Sequence, residues 1–477
     1  MAIGPAVRLE RILAPRPAGD HSGHMRIAVA GATGFVGRAL VPALLNDGHE
    51  PVALARHPSP PIAGATSHTV DIGDENAVRL ALSGCGAAYY LVHSLERGDF
   101  RSRDQHLAET FGRAAAAVGV GRIVYVGGLG HQPESEHLMS RQETGRALAT
   151  ANVPVVELRA AVVLGAGSIS FEMLRYLTER LPVMVCPRWV RTRIQPVALP
   201  DMLCYLVEAL GVEPGIYEIG GADVTTYRDM IATFASARGL RPRRIVDVPY
   251  LTPRLSSYWV DLVTPVDRGV SHALIESLVT EVVVQDATRT EAAFAVRPIG
   301  VRDAIDRALD DQAVQVGLDL LNRDSGLVDG VYSERVSVPI SPGQADALDA
   351  DFDRIGGTYE WYGLALAWQM RRAIGFIFGE RWRLRRPPAI RAGEHVDWWT
   401  VVRRRQRELV LLGVGWLAGD AWLGWRCDEQ KLVQVGALRP KGIPGLLYWK
   451  LLQPVHTRVF VTLARHRRER AEALTKR

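Results

Sequence analysis

Along the first part of the chain, short apolar runs alternate with stretches whose apolar positions return every three or four residues. The runs are Arg26–Ala30, Pro51–Ala55, His68–Asp71, Ala87–Val92, Arg122–Val126 and Val153–Leu158. Helices are predicted between them near 35–47, 75–83, 103–118 and 136–150. Runs this short and apolar on both faces suit a buried parallel sheet, and strands alternating with helices build one through βαβ crossovers. Six strands in this order predict a doubly wound, Rossmann-type sheet of the α/β class.

Past the sixth run the pattern loosens. Helices near 168–180, 200–210 and 227–238, the Pro-bounded piece Leu181–Pro187 and a strand at Ile216–Ile219 are expected to form a substrate lobe. Such a lobe would roof the crevice at the carboxyl ends of the strands, where open α/β sheets bind ligands. Tyr258, Trp259 and His272 are candidates for its substrate side, core packing being the commoner fate of such residues. Thr280–Val328 reads as a further strand, a helix over Val301–Gln312 and a linker.

Beyond Tyr332 the texture changes: nine of the eleven tryptophans fall between Trp361 and Trp449. Near-alternating segments (Glu380–Arg383, Val396–Val402, Leu409–Val414, Ala421–Arg426) separated by Gly- and Asp-rich turns predict a curved antiparallel meander, with a helix over Ile443–Arg465 packed across it. The expected organisation is a disordered extension over residues 1–24, a Rossmann domain with its lobe over 25–311, a linker over 312–331, a second α+β domain over 332–470 and a tail.

Composition supports two globular units, since 477 residues exceed one ordinary core and 47% are hydrophobic against 23% charged. The cysteines (Cys85, Cys186, Cys204, Cys427) have no CxxC spacing, which argues against a metal site and for buried thiols in a reducing, cytoplasmic setting. Residues 1–24 lack the apolar run of a signal peptide, and Leu409–Leu423 is interrupted by Asp420 and glycines, so no spanning helix is expected. Charge divides unevenly. Lys and Arg trail Asp and Glu by 32 to 37 through residue 330, then lead by 25 to 15. The second unit therefore favours anions, and Arg403–Arg407 and Arg465–Arg470 suit an acidic protein or a peripheral membrane surface, although such runs are usually solvated faces. No nucleic-acid reader motif accompanies the charge. A homodimer is the expected assembly.

The chemistry begins where Arg26–Ala30 runs into Gly31-Ala32-Thr33-Gly34-Phe35-Val36-Gly37. In a GxxGxxG loop one glycine permits the strand-to-helix turn, one lets backbone approach a diphosphate, and one lets the helix pack on the strand. The diphosphate then meets the free N–H groups and positive end of the helix. The next strand ends in Ala55-Arg56-His57, where an NAD site usually carries an acid for the ribose 2′-hydroxyl. A guanidinium there suits a 2′-phosphate, so NADP(H) is expected rather than NAD.

With Val70-Asp71-Ile72, Tyr89-Tyr90-Leu91-Val92-His93 and Val124-Tyr125-Val126-Gly127-Gly128-Leu129-Gly130, this loop resembles the NmrA-like atypical short-chain dehydrogenase/reductases over about 280 residues. The resemblance implies Asp71 and Ile72 at the adenine, and Leu91, Val92, His93 and Gly127 at the nicotinamide end. Standard members of that superfamily carry a Ser after the fifth strand and Tyr-x-x-x-Lys on the next helix. Here Gly127-Gly128 stands for the Ser, His137 for the Tyr and Arg141 for the Lys. A histidine can donate a proton near neutral pH, and an arginine can hold the nicotinamide ribose but not deprotonate. Two functions are expected: an oxidoreductase for a small or hydrophobic carbonyl or alkene, with His137 and Arg141 as its catalytic residues, or a non-catalytic NADP(H)-binding redox sensor.

The segment from about Glu334 to Arg465, best in Leu438–Trp449 and including Pro454 and His456, resembles DUF2867, a family related to the helix-grip START/polyketide-cyclase (SRPBCC) folds. That resemblance implies an apolar pocket for a lipid-like ligand.

Overall fold

The computed structural model describes residues 24–93, 100–131, 135–248, 279–322, 330–341, 343–356, 387–414 and 419–475, with Gln369 and Ala373 between them. The chain separates into two compact units at Leu309/Asp310.

In the first unit, strands β1 (Arg26–Ala30), β2 (Glu50–Ala55), β3 (Thr66–Thr69), β4 (Ala87–Tyr90), β5 (Ile123–Gly128), β6 (Val155–Ala160) and β7 (Gly215–Ile219) form one sheet in the order β7-β6-β5-β4-β1-β2-β3. Every pairing is parallel. Helices α1 (Phe35–Asn46), α2 (Glu75–Leu82), α3 (Phe100–Ala117) and α4 (Glu136–Ala149) make the first crossovers. Alternation in β1 explains the two layers. Ile27 and Val29 enter one core with Leu40, Leu44, Met202 and Leu206, whereas Ala28 and Ala30 enter the other with Val78, Phe111 and Leu148. Burial on both faces is why these strands read as unbroken apolar runs. Local capping sets helix starts: Asp74 accepts from the N–H groups of Asn76 and Ala77, and Ser135 from that of Leu138.

Four expectations need correction. The third strand lies two residues early, ending at Thr69, and leaves Asp71 in the following turn. The run at Ile216–Ile219 joins the main sheet as β7 instead of the lobe, because its backbone pairs with β6. Where a strand was expected past Thr280, the described residues up to Asn322 hold a single bridge, Val282 to Ile194. The helix expected over Val301–Gln312 runs on to Asn322. The lobe is built from two-stranded pieces (Val163–Leu164 with Val197–Ala198, Arg193–Ile194 with Thr225–Thr226, Val183–Cys186 with Arg244–Asp247) and the helices Ile169–Arg180 and Tyr227–Ala237. Phe171, Met184, Phe234 and Leu138 share its core. Tyr258, Trp259 and His272 lie outside the described residues.

The second unit holds β8 (Tyr332–Pro339), β9 (His395–Val396), β10 (Trp399–Arg405), β11 (Glu408–Val414), β12 (Gly419–Cys427) and β13 (Lys431–Pro440) in an antiparallel sheet of order β8-β13-β12-β11-β10-β9. The run expected at Val396–Val402 is broken because Asp397 turns at φ 55°. Glu380–Arg383 lies outside the described residues. Helix α5 (Gln344–Phe352) and the last helix, α6 (Gly442–Thr475), share a core with the sheet through Leu348, Phe352, Leu463 and Ala471. Trp399, Trp422, Trp425 and Trp449 are buried in cores of this unit. The indole N–H of Trp425 donates to Gln434 at 2.7 Å, that of Trp422 to the Ala313 carbonyl at 2.9 Å.

Three arginines of the first basic run pair within this unit. Arg404 pairs with Asp349 (2.7 Å) and Asp353 (2.8 Å), Arg407 with Asp346 and Glu429, and Arg403 with Glu408. No helix among the described residues is long and apolar enough to cross a membrane.

Candidate active site

The carboxyl ends of β1 to β5 bring most of the expected site residues to one edge of the sheet. At its centre, β1 pairs with β2 on one side and β4 on the other, the reversal of strand order where a crevice opens. Gly31 has φ +84°, and a Cβ on it would lie 2.8 Å from the Leu91 carbonyl oxygen. On Gly37 a Cβ would lie 2.2 Å from the Gly31 oxygen, so only glycine lets helix and loop approach this closely. Gly34 caps α1 without a side-chain bond, and the first turn holds no acidic residue. Thr33 and Gly34 are exposed, Phe35 and Val36 half-buried. A helix end free of competing carboxylates, bordered by backbone with no Cβ, fits a diphosphate.

One strand over, Arg56 and His57 are exposed just past β2, and Arg56 Nε donates to His57 Nε2 at 3.1 Å. Asp71 is exposed and accepts from the Gly73 N–H at 2.9 Å; Ile72 beside it is buried. Gly127 lies in β5, its neighbour Gly128 being the last residue of that strand.

The N–H of Leu91 donates to the Ala30 carbonyl at 2.9 Å, carrying the chain from β4 to His93. His93 Nδ1 lies 3.0 Å from Asp104 Oδ2, and its Nε2 lies 3.1 Å from Nδ1 of His137. Asp104 projects from α3 and is 3% exposed. Its Oδ2 also accepts from the hydroxyl of Ser140, at 3.2 Å. Ser140 is fully buried on α4, three residues past His137. Thus Ser140, Asp104, His93 and His137 form one continuous chain of polar contacts. Arg141 follows on α4, its Nη2 donating to the Val126 carbonyl at 2.5 Å while Tyr125 Oη donates to the Arg141 carbonyl at 2.8 Å.

Burial governs the charges. It lowers the His93 pKa, against the opposing effect of the hydrogen bond that His93 donates to Asp104. His137 is lowered to about 2, by burial first and then by His93 and Arg141. Tyr125 is raised to about 12 and Tyr90 well above its ordinary value, both mainly by burial. Both imidazoles are therefore neutral at pH 7, and neither buried tyrosine is an acid for this site.

Sequence reasoning named His93 and His137 separately, as a nicotinamide-end residue and an acid, and did not pair them. It missed Asp104 and Ser140. A signal was present: Asp104, Ala108, Phe111 and Ala115 follow helical spacing, and all are buried, which puts a carboxylate on an otherwise apolar face. Among the described residues no group of three or more His, Cys, Asp or Glu side chains is arranged to hold a metal ion.

Two family models match the chain: NAD(P)H-binding over residues 31–161, and a protein family of unknown function, DUF2867, over residues 328–463. An uncharacterized protein of Mycobacterium tuberculosis is 31% identical over 212 residues, 44% of this chain and 23% of that protein. The chain thus spans about a quarter of the length of that relative. A ceramide reductase of Caulobacter vibrioides is 27% identical over 264 residues, 52% of this chain and 82% of the reductase. Among solved structures, the NADPH complex of the Escherichia coli NADPH-dependent quinone oxidoreductase QOR2 aligns with TM-score 0.48 and 20% identity, covering 59% of this chain and 99% of that one. The chain joins an NAD(P)H-binding domain of Rossmann architecture to a DUF2867 domain.

Proposed function

We propose that the protein is an NADP(H)-dependent oxidoreductase for a hydrophobic carbonyl or alkene compound, with His137 exchanging the proton at the reacting group. One observation carries this reading. The histidine that stands where the superfamily has its tyrosine is bonded into a histidine–carboxylate chain through His93, which follows the carboxyl end of β4. The ceramide reductase of Caulobacter vibrioides, matched over most of its length, supports a reductase with a lipid-like substrate.

The loop Gly31–Gly37 would hold the diphosphate, Arg56 with His57 the 2′-phosphate, Asp71 and Ile72 the adenine, and Leu91, Val92, His93 and Gly127 the nicotinamide end. When bound, NADPH supplies the hydrogen and electron pair that reduce the substrate carbon. Arg141 is a hydrogen-bond donor only, with no acceptor atom to offer to a proton. Tied to Val126, it holds the ribose and keeps a positive charge near the oxygen that gains negative charge.

The test is oxidation of NADPH by purified protein offered long-chain ketones, aldehydes and enones. Wild type is expected to turn over at least one class, and His137→Ala to lose roughly 100- to 10,000-fold in kcat. Tight NADPH binding with no turnover of any class would favour the redox-sensor reading. Failure to bind either nicotinamide nucleotide would remove both.

A further inference from the structure

Packing gives no reason for Asp104. At three- and four-residue spacing from it, α3 buries Ala108, Phe111 and Ala115, and a carboxylate taken out of water is stable only with well-placed partners. Among its partners are the Ser140 hydroxyl and a ring nitrogen of His93. The order of donors follows from chemistry. A carboxylate only accepts, so His93 carries its proton on Nδ1. Neutral His93 then presents a lone pair on Nε2, and His137 must donate to it from Nδ1. A neutral His137 is left with its own lone pair on Nε2. The ring that stands for the tyrosine is thereby set as a proton acceptor at rest, and becomes a donor only when the pair holds one extra proton.

We propose that Asp104, His93 and His137 form a proton relay, with His137 as the catalytic residue at the reacting oxygen and with Asp104 and His93 as positioning residues that hold the proton in reserve. This rests on the oxidoreductase reading above. In the oxidative direction the substrate O–H gives its proton to His137 Nε2, and the Nδ1 proton of His137 passes to His93 Nε2. His93 ends as an imidazolium beside the Asp104 carboxylate. On becoming a carbonyl, the alcohol carbon would give its hydrogen and electron pair to NADP+ when that oxidant is bound. Reduction runs the same transfers backward, so that one proton leaves the pair for each carbonyl reduced. Asp104 makes the imidazolium tolerable in a buried place. Arg141 opposes it from α4, and Tyr90, beside Asp104, is neutral.

The experiment needs no turnover at its first stage. Nitrogen-15 NMR of imidazole-labelled full-length protein is expected to show the Nδ1–H tautomer on both rings at neutral pH, and uptake of one proton by the pair on acidification. Asp104→Asn, nearly isosteric, should move that uptake at least about one pH unit lower, since a carboxamide no longer offsets the imidazolium charge. Ser140→Ala, which keeps the carboxylate, should move it less and guards against a variant that fails to fold. An Nε2–H tautomer on His137, independent titration of the two rings, or uptake unchanged in Asp104→Asn would overturn the relay.

At the second stage, Asp104→Asn and His93→Gln should displace the pH–rate profile and lower kcat about 10- to 100-fold, with NADPH affinity unchanged in Asp104→Asn. Turnover with an unchanged profile in both variants would sink the relay and leave the oxidoreductase reading intact. Ordered tautomers and Asp104-dependent protonation without turnover of any substrate would remove the oxidoreductase reading and leave the proton-holding chain.

Discussion

A Cβ placed on Gly127 would lie 2.5 Å from Oε1 of Glu157, so the buried carboxylate of β6 occupies the space that a side chain on β5 would need. Glu157 is 4% exposed and paired with Arg159 at 2.8 Å, and its other oxygen would lie 2.6 Å from a Cβ on Gly145 of α4. At Gly127, one of the two positions standing for the serine of the resembled superfamily, a side chain therefore fits only if Glu157 gives way. Gly127→Ser is expected to destabilise the protein by about 1–3 kcal/mol, as overpacked cores do, and not to install an acid. Urea denaturation checks this; a wild-type midpoint would refute it.

Arg56 is exposed and touches His57, so its removal leaves the fold alone. In fluorescence titrations Arg56→Asp should weaken NADPH binding about 10- to 100-fold by loss of a charge-assisted contact, leave NADH binding unchanged or improved, and shift stability by less than about 0.5 kcal/mol. Equal loss for both nucleotides would deny Arg56 a role at the 2′-phosphate.

Stability should fall with acid in a defined window. Unfolded histidine titrates near pH 6.5, whereas His137 in the fold is lowered to about 2 and His93 is lowered as well. Below about pH 6.5 the unfolded chain then binds more protons than the folded one, so stability rises with pH there and is lost as pH falls. The slope is at most about 1.4 kcal/mol per pH unit for each such histidine. Denaturant midpoints from pH 5 to 8 should fall more steeply toward acid in wild type than in His137→Gln. Parallel curves would contradict the burial of that ring's proton-binding site.

In the second unit Arg467 and Asp351 are both fully buried, with Nη1 3.7 Å from Oδ2 and the guanidinium 4.1 Å from the centre of the Trp425 ring. Asp351→Ala removes the buried carboxylate that pairs with Arg467 and, at 3.4 Å, with Arg470, and is expected to cost about 3–5 kcal/mol, with little sensitivity to salt. Arg468→Ala, which breaks a surface pair with Glu472, should cost less than about 1 kcal/mol. Similar losses in both would show that the buried pair is better solvated than its exposure indicates.

Both architectures were legible because their signals are local. Apolar period, glycine spacing and capping residues lie within ten or so positions of one another, and they place α1 to α4, most strands of the parallel sheet and the antiparallel meander. Where a strand pairs is a different matter: five residues at Gly215–Ile219 say strand, but only the partner's backbone says which sheet. The basic run Arg403–Arg407 likewise reads as a charged surface until α5 brings Asp346, Asp349 and Asp353 against it.

By itself, then, the amino-acid order determined the strand–loop–helix that suits a dinucleotide and the cation that follows the second strand, and through its resemblance it led to the expectation that Gly127-Gly128, His137 and Arg141 stand for serine, tyrosine and lysine. Only the tertiary structure decided that His93 meets His137 across 44 positions, with Asp104 behind them. A hydrogen-bond chain depends on where ring nitrogens and carboxylate oxygens come to rest to within a few tenths of an ångström. That placement is set by how α3 and α4 pack on the sheet, not by any spacing along the chain.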